Sequence, residues 1–303
     1  MHDVIVIGSG PAGLNAALYT ARASLDTKVI SGPQVGGQLA LTWEIDNYLG
    51  FIDSPSGADL TDLMVKHVEK FGARLEYDEV PSVDFTGHPL KVTTYGGVLE
   101  ARSVIIASGA SATKLGVPGE DKLIGHGVSY CATCDGAFFK DDDVVVVGGG
   151  DSAVEEALFL TRFAKSVRVI HRRDELRAGP QLQERAFAND KIAFIWDTVV
   201  DEVVGNGHVS SIKVRNAKSG ATDELQAQGI FIFVGHYPNS DLFRGAVDMD
   251  EHGYVLVDER TRTNVPGVFA AGEIMDPLWR QVATSVGQGC MAGMAAEEHL
   301  AAL

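Results

Sequence analysis

Residues 131–136 read Cys-Ala-Thr-Cys-Asp-Gly. Two thiols with two residues between them can be a redox dithiol, half of a zinc site, or incidental core thiols. The chain has three cysteines in all. A structural zinc site takes four ligands, and there is no second pair to complete one, so no metal is expected. Cys290 stands alone in an apolar, small-residue stretch and reads as packed core. For Cys131 and Cys134 the redox reading is favoured, because the small ring that they close is readily reduced and suits exchange. A thiolate at a helix start or near a positive group has a lowered proton affinity. Asp135 adjoins the pair and is placed to deliver or accept protons; capping a turn is an equally common use of Asp-Gly.

The pair lies between two glycine-rich loops. The first is Gly8-Ser9-Gly10-Pro11-Ala12-Gly13, which follows the apolar run Val4–Ile7 and opens an alanine-rich helix. In that context Gly8 permits the tight turn, Gly10 lets a pyrophosphate approach the backbone, and Gly13 lets helix and strand pack closely. The helix N-terminus adds amide donors and positive dipole for phosphates. The second loop, Gly148-Gly149-Gly150-Asp151-Ser152-Ala153, follows the strand-like run Asp143–Val147. Beyond the next strand come His171, Arg172, Arg173 and Arg177. An acidic residue there would accept ribose hydroxyls. Arginines instead suit a 2′-phosphate, through bidentate charge-assisted bonds, so this loop should prefer NADPH over NADH. A dithiol between two such loops suggests an electron path: a hydride from one dinucleotide, electrons through a second, and a disulfide as acceptor.

These residues need strands, helices and turns to hold them. Strand-like runs at Val4–Ile7, Lys28–Ile30 and Val104–Ala107, with helical patterns at Leu14–Ala23 and Leu60–Phe71, form one βαβ set. Residues 36–60 read as a long irregular segment that lines something, and 74–107 as an antiparallel meander. The pattern restarts at Asp143, with a helix from Val154 to Phe163, strands at Val167–Ile170 and Gly229–Val234, and short strands over 193–215. The chain is thus a degenerate repeat with a spacing of ~140 residues. The tail, Gly267–Gly272 and Gln281–Leu300, reads as strand, turn and helix, and has no counterpart in the second half. The expected fold is α/β: two Rossmann-like dinucleotide-binding domains, each βαβ plus β-meander, the second inserted into the first. A net charge of −16 disfavours nucleic acid and anionic membranes by repulsion. No apolar run reaches the ~18 residues of a membrane helix, and the start of the chain does not resemble a secretory leader. A cytoplasmic setting is therefore expected.

Taken together, the sequence closely resembles the low-molecular-weight, bacterial-type thioredoxin reductases over essentially its whole length. The resemblance rests on the two glycine loops and on Gly-Gly-Gln-Leu at 36–39, Ala-Thr-Cys-Asp-Gly at 132–136, and His-Arg-Arg-Asp at 171–174. It also rests on Gly-His-Tyr-Pro-Asn at 235–239, Val-Phe-Ala-Ala-Gly at 268–272, and Arg-Gln at 280–281. It implies FAD on the first loop, NADPH on the second, a homodimer, and thioredoxin or a related small dithiol protein as partner. The FAD domain would be 1–112 plus 241–303, with the NADPH domain at 113–240 and a hinge rotation between them. Gln38, Asn47 and Gly109 would contact FAD, and Arg280, Gln281, Val282 and Ala283 would lie along the flavin edge. Cys134 would face the flavin, Cys131 would attack the substrate, and Asp135 would serve as acid and base. Three features depart from the family pattern. Glu273 replaces the Asp whose carboxylate bonds the FAD ribityl chain, Trp279 replaces a smaller aromatic, and Pro180–Asn189 differs in sequence.

Overall fold

The computed structural model describes residues 1–42 and 44–303; position 43, inside the irregular segment noted above, lies outside the described residues. Two compact units form, Met1–Ser111 with Tyr237–Leu303, and Ala112–His236.

The first unit begins with β1 (His2–Ile7), buried from Val4 to Ile7. A continuous apolar run of this kind is what a strand covered on both faces requires. α1 (Pro11–Arg22) carries proline in its first turn, where the missing amide is not needed. It leads to β2 (Thr27–Ile30), parallel to β1 with Val4 opposite Thr27. α2 (Gly57–Lys70) starts at Ser56, whose hydroxyl accepts from the Asp59 amide at 3.0 Å. After it, β3 (Arg74–Glu76) joins the outside of β2 in parallel. The meander expected over 74–107 is therefore shorter. α2 carries the chain back across the sheet before Arg74, and such a crossover produces a parallel strand. Only β4 (Ser82–Asp84), β5 (Leu90–Thr94) and β6 (Gly97–Ile106) form the antiparallel meander. β6 serves both parts of the sheet, pairing with β5 through Gly97–Ala101 and with β1 through Ala101–Ile106.

The chain leaves this unit through β7 (Ala110–Ala112). The second unit contains β8 (Val128–Ser129), α3 (Ala132–Asp135), β9 (Asp143–Val147), α4 (Asp151–Leu160) and β10 (Ser166–Ile170). α5 (Pro180–Phe187) and β11 (Ile192–Ile195) follow. The segment with the divergent sequence is thus a short helix. β12 (Thr198–Gly205), β13 (Val209–Asn216) and β14 (Thr222–Gln226) make a separate antiparallel meander, and β15 (Gly229–Ile232) returns to the parallel sheet. That sheet has the order β11-β10-β9-β15-β8. The return crossing, β16 (His236–Pro238), pairs with β7.

The chain then re-enters the first sheet as β17 (Val268–Ala270), parallel to the end of β6. α6 (Val282–Ala301) packs against α1 through small residues. A side chain at Gly289 would sit 2.1 Å from the Ala12 carbonyl oxygen, and one at Gly293 2.8 Å from that of Ala16. The sequence places Cys290 in a packed core, and the structure corrects this. The residues turned toward α1 are Gly289, Ala292, Gly293 and Ala296. One step round the helix, Cys290 is half-buried, with its sulfur 3.8 Å from the Met294 sulfur and Met291 and Met294 exposed.

Candidate active site

Cys131 and Cys134 are joined as a disulfide, with Cα atoms 5.3 Å apart. β8 ends two residues before Cys131, and Cys131 caps the short helix α3. Its sulfur accepts a hydrogen bond from the Cys134 amide at 3.1 Å. An amide donor at this sulfur favours its thiolate form once the disulfide opens. Both cysteines are half-buried, and Thr133 between them is exposed.

A buried serine and a partly buried tyrosine hold this turn. Ser129 accepts from the Cys131 amide at 3.1 Å and donates to the Asp135 carboxylate at 2.6 Å. Tyr130 donates to the Glu120 carboxylate at 2.8 Å. Glu120 is 1 % exposed and also accepts from the amides of Leu115 at 3.0 Å and Gly116 at 2.7 Å. Burial, and then the Glu120 carboxylate, push the Tyr130 phenol up, so it stays a neutral donor. Neither residue draws attention in the sequence. The signal that was there is a Ser-Tyr pair placed directly before the first cysteine.

In the second unit, Gly148 turns with φ +149°, and a side chain there would sit 2.5 Å from the Phe233 carbonyl oxygen. Gly150 differs. A side chain there would meet nothing closer than the Arg177 guanidinium at 3.9 Å, so protein packing does not demand glycine. Gly150 is the N-cap of α4, and no side chain caps that helix end. The Arg177 and Ala178 amides donate to the Gly149 carbonyl at 2.7 and 3.1 Å. Those bonds fold the arginine segment over the loop. Arg172, Arg173 and Arg177 are exposed, and Asp174 beside them is taken up by the Lys218 ammonium at 2.7 Å. His171 is placed differently from the arginines. It is 5 % exposed and packed under Gly149. Burial holds it below the usual imidazole range against a backbone bond at Glu175, with Arg177 and Arg173 adding to the effect. It is a neutral floor beneath the loop. Asp151 and Ser152 are exposed at the start of α4, and Ala153 is buried beneath it.

The first unit repeats this logic. A side chain at Gly8 would sit 2.2 Å from the Ala107 carbonyl oxygen, and one at Gly13 2.0 Å from that of Gly8. At Gly10 the nearest atom is the Gly36 carbonyl oxygen at 4.0 Å. Gly10 caps α1 without a side-chain bond, with Pro11 and Ala12 next in the turn. The structure also brings Asn47 to Gln281, amide to amide at 3.3 Å. Gln281 caps α6 reciprocally with Thr284, and Val282 and Ala283 form its first turn. Gln38 is exposed in the turn Gly37–Leu41. Gly109, in a left-handed conformation, accepts from the Asn239 amide at 3.0 Å. Burial pushes the Glu273 carboxyl up; Arg280 opposes this and Asp276 adds to it. Gln288 links the Gly272 amide to the Asp276 carboxylate at 3.1 and 2.7 Å, a second arrangement absent from the sequence reading.

A parallel-sheet unit with an uncapped glycine turn, present twice, and a disulfide in the second unit define a nucleotide-dependent disulfide oxidoreductase. The chain belongs to the pyridine nucleotide-disulphide oxidoreductase family, whose model matches residues 2–289. Among curated relatives it is 52 % identical to a thioredoxin reductase of Streptomyces coelicolor, over 100 % of this chain and 95 % of that protein. It is 50 % identical to the thioredoxin reductase of Mycolicibacterium smegmatis, over 99 % and 97 % of the two chains. The crystal structure of the thioredoxin reductase from Streptococcus pyogenes superposes with a TM-score of 0.96 at 46 % identity, covering 100 % of this chain and 99 % of that one. The resemblance drawn from the motifs therefore holds over the full length. The protein is an oxidoreductase enzyme of a family that uses FAD and NADPH.

Proposed function

We propose that the protein reduces the disulfide of thioredoxin, or of a related small dithiol protein, at the expense of NADPH. The observation that carries this reading is the half-buried Cys131–Cys134 disulfide, followed in the chain by Asp135, whose carboxylate accepts from the Ser129 hydroxyl. Two loops support the cofactor assignment. Gly10 and Gly150 are each open where a side chain would stand, beside a helix end that no side chain caps. Their fit is to phosphate. Gly8 to Gly13, Gln38, Asn47, Gly109, Glu273 and Arg280 to Ala283 would hold FAD. Gly148, Gly150 to Ala153 and the Arg172, Arg173, Arg177 cluster over His171 would hold NADPH.

When bound, the nicotinamide supplies a hydride and the flavin hands its two electrons to the disulfide. The chain's own residues do the rest. Reduction leaves thiols at Cys131 and Cys134, and the Cys134 amide stabilises a thiolate on Cys131. That thiolate attacks one sulfur of the substrate disulfide and the other leaves, taking a proton from Asp135. Cys134 then attacks the Cys131 sulfur, which closes the enzyme disulfide and frees the second substrate thiol. Overall, NADPH, one proton and a protein disulfide give NADP⁺ and a protein dithiol.

Among the described residues no helix is long and apolar enough to cross a membrane. A homodimer in the cytoplasm is the form in which we expect the enzyme to work; light scattering on the purified protein checks the assembly. Anaerobic titration with NADPH, followed by oxidised thioredoxin, tests the function. The flavin absorbance should bleach and then recover. Recovery that needs no thioredoxin, or that survives Cys131→Ser, would end the proposal.

A further inference from the structure

The Ser129 hydroxyl touches both ends of the redox turn. It receives the Cys131 amide proton at 3.1 Å and gives its own proton to Asp135 Oδ2 at 2.6 Å. It also lies 3.2 Å from the Cys131 carbonyl oxygen. A hydroxyl carries one proton, and the shorter contact, to the Asp135 carboxyl oxygen, takes it, which leaves Oδ1 as the oxygen that carries the acid's proton. Ser129 is 4 % exposed, so solvent does not readily replace it. Its backbone is fixed on both sides: β8 pairs with β15 through Ser129 and Phe231, and Tyr130 is anchored on Glu120.

We propose that Ser129 is a positioning residue for Asp135 in the thiol-exchange step. The proposal rests on the disulfide-reductase reading above and deepens it. With Oδ2 held by the hydroxyl, rotation of the carboxyl group about its Cβ–Cγ bond is restrained. The direction in which Asp135 presents a proton is then set by the same atom that orients the Cys131 amide. The balance of the exchange step is unchanged. The bond that forms joins the Cys131 sulfur to a substrate sulfur, the substrate S–S bond breaks, and the electron pair leaves on the second substrate sulfur. That sulfur takes the proton of Asp135, which Asp135 regains from solvent. Ser129 exchanges no proton with the substrate. It limits the rotational freedom that would otherwise let the donor miss the leaving sulfur, and misplacement of about 1 Å at such a site can cost orders of magnitude in rate.

The test uses the FAD-loaded full-length enzyme in four forms: native, Ser129→Ala, Asp135→Asn and the double variant. Two half-reactions are followed by stopped flow. Bleaching of the flavin by NADPH precedes thiol exchange and should proceed at the native rate in Ser129→Ala, and each of the four forms is checked for folding and FAD content by its unfolding temperature and flavin absorbance. Reoxidation by thioredoxin should fall about tenfold in Ser129→Ala, the equivalent of one lost charge-assisted bond at the low end of its range. In steady state kcat for thioredoxin reduction should fall while KM for NADPH stays put. The double variant should be no slower than Asp135→Asn alone, because a residue that acts through Asp135 has nothing left to position. The proposal is overturned if Ser129→Ala reoxidises at the native rate. It is also overturned if the serine change slows Asp135→Asn by the same factor as it slows the native enzyme. Failure of the native enzyme to reduce thioredoxin at all would instead remove the functional reading, and this inference with it.

Discussion

Gly8 and Gly10 lie two residues apart in one loop, and the structure separates their reasons for being glycine. At Gly8 the backbone has φ +111°, and an added methyl would stand 2.2 Å from the carbonyl oxygen of Ala107. The backbone strain costs about 1–3 kcal/mol, and overlap with a backbone atom that cannot swing aside costs a similar amount. Gly8→Ala should therefore lose about 3 kcal/mol or more, which in a unit of this size lowers Tm by roughly 6–12 °C. At Gly10 the backbone is extended with φ −68°, and the nearest atom to an added methyl is 4.0 Å away. Alanine fits there, and reduced freedom in the unfolded chain offsets the slightly poorer helix cap, so stability should change by less than about 0.5 kcal/mol. The methyl would instead occupy the space where a pyrophosphate meets the uncapped end of α1. Losing even one charge-assisted amide bond there weakens binding about tenfold. The assay has two parts: thermal unfolding of the cofactor-stripped proteins, and FAD titration followed by fluorescence. Gly10→Ala should unfold with the native protein yet bind FAD at least about tenfold more weakly. Native FAD affinity in Gly10→Ala would refute the reasoning, and so would loss of apo stability comparable to that of Gly8→Ala.

At the second loop, Arg177→Ala should weaken 2′,5′-ADP about tenfold or more and leave 5′-AMP nearly unchanged in calorimetry, since the guanidinium serves the 2′-phosphate; equal losses would show that it does not. For the thiols, Cys131→Ser leaves Cys134 alone, and a long-wavelength charge-transfer band with oxidised flavin is expected that fades as acid protonates the thiol. A band seen only in Cys134→Ser would reverse the two roles. Glu273 predicts a pH effect on the cofactor-stripped protein. Burial raises its folded proton affinity, so its contribution to stability is complete below the unfolded value of 4.5 and is lost as pH rises through the folded value. Glu273→Gln removes that ionisation, so its Tm should gain on the native protein as pH rises from 4.5; a Tm difference that does not change with pH would contradict the assignment.

The loops and the dithiol were legible from residue types alone because each is a local device. The turn at Gly8–Gly13 and the helix start at Cys131 are each announced by residues that are neighbours along the chain, although the carbonyl that crowds Gly8 belongs to distant Ala107. The same holds for the strands at Val4–Ile7 and Asp143–Val147, whose unbroken apolar runs leave a buried parallel sheet as the stable outcome. Tertiary packing decided what joins distant positions. The amides of Asn47 and Gln281 meet across 234 residues of chain, and nothing near either one announces the other. Arg74–Glu76 alternates like a meander strand yet pairs parallel to β2, because the crossover helix before it fixes the direction in which it arrives. Cys290 has core-like neighbours, but helix rotation turned the glycines and alanines to α1 and left the thiol on the flank. Ser129, silent as a residue type, became a partner of Asp135 because β8 ends two residues before α3's cap and their backbones set one hydroxyl between an amide and a carboxylate. A pattern of types specifies which groups a segment carries; only the packing of the elements determines the few ångströms and the burial that turn those groups into a working site.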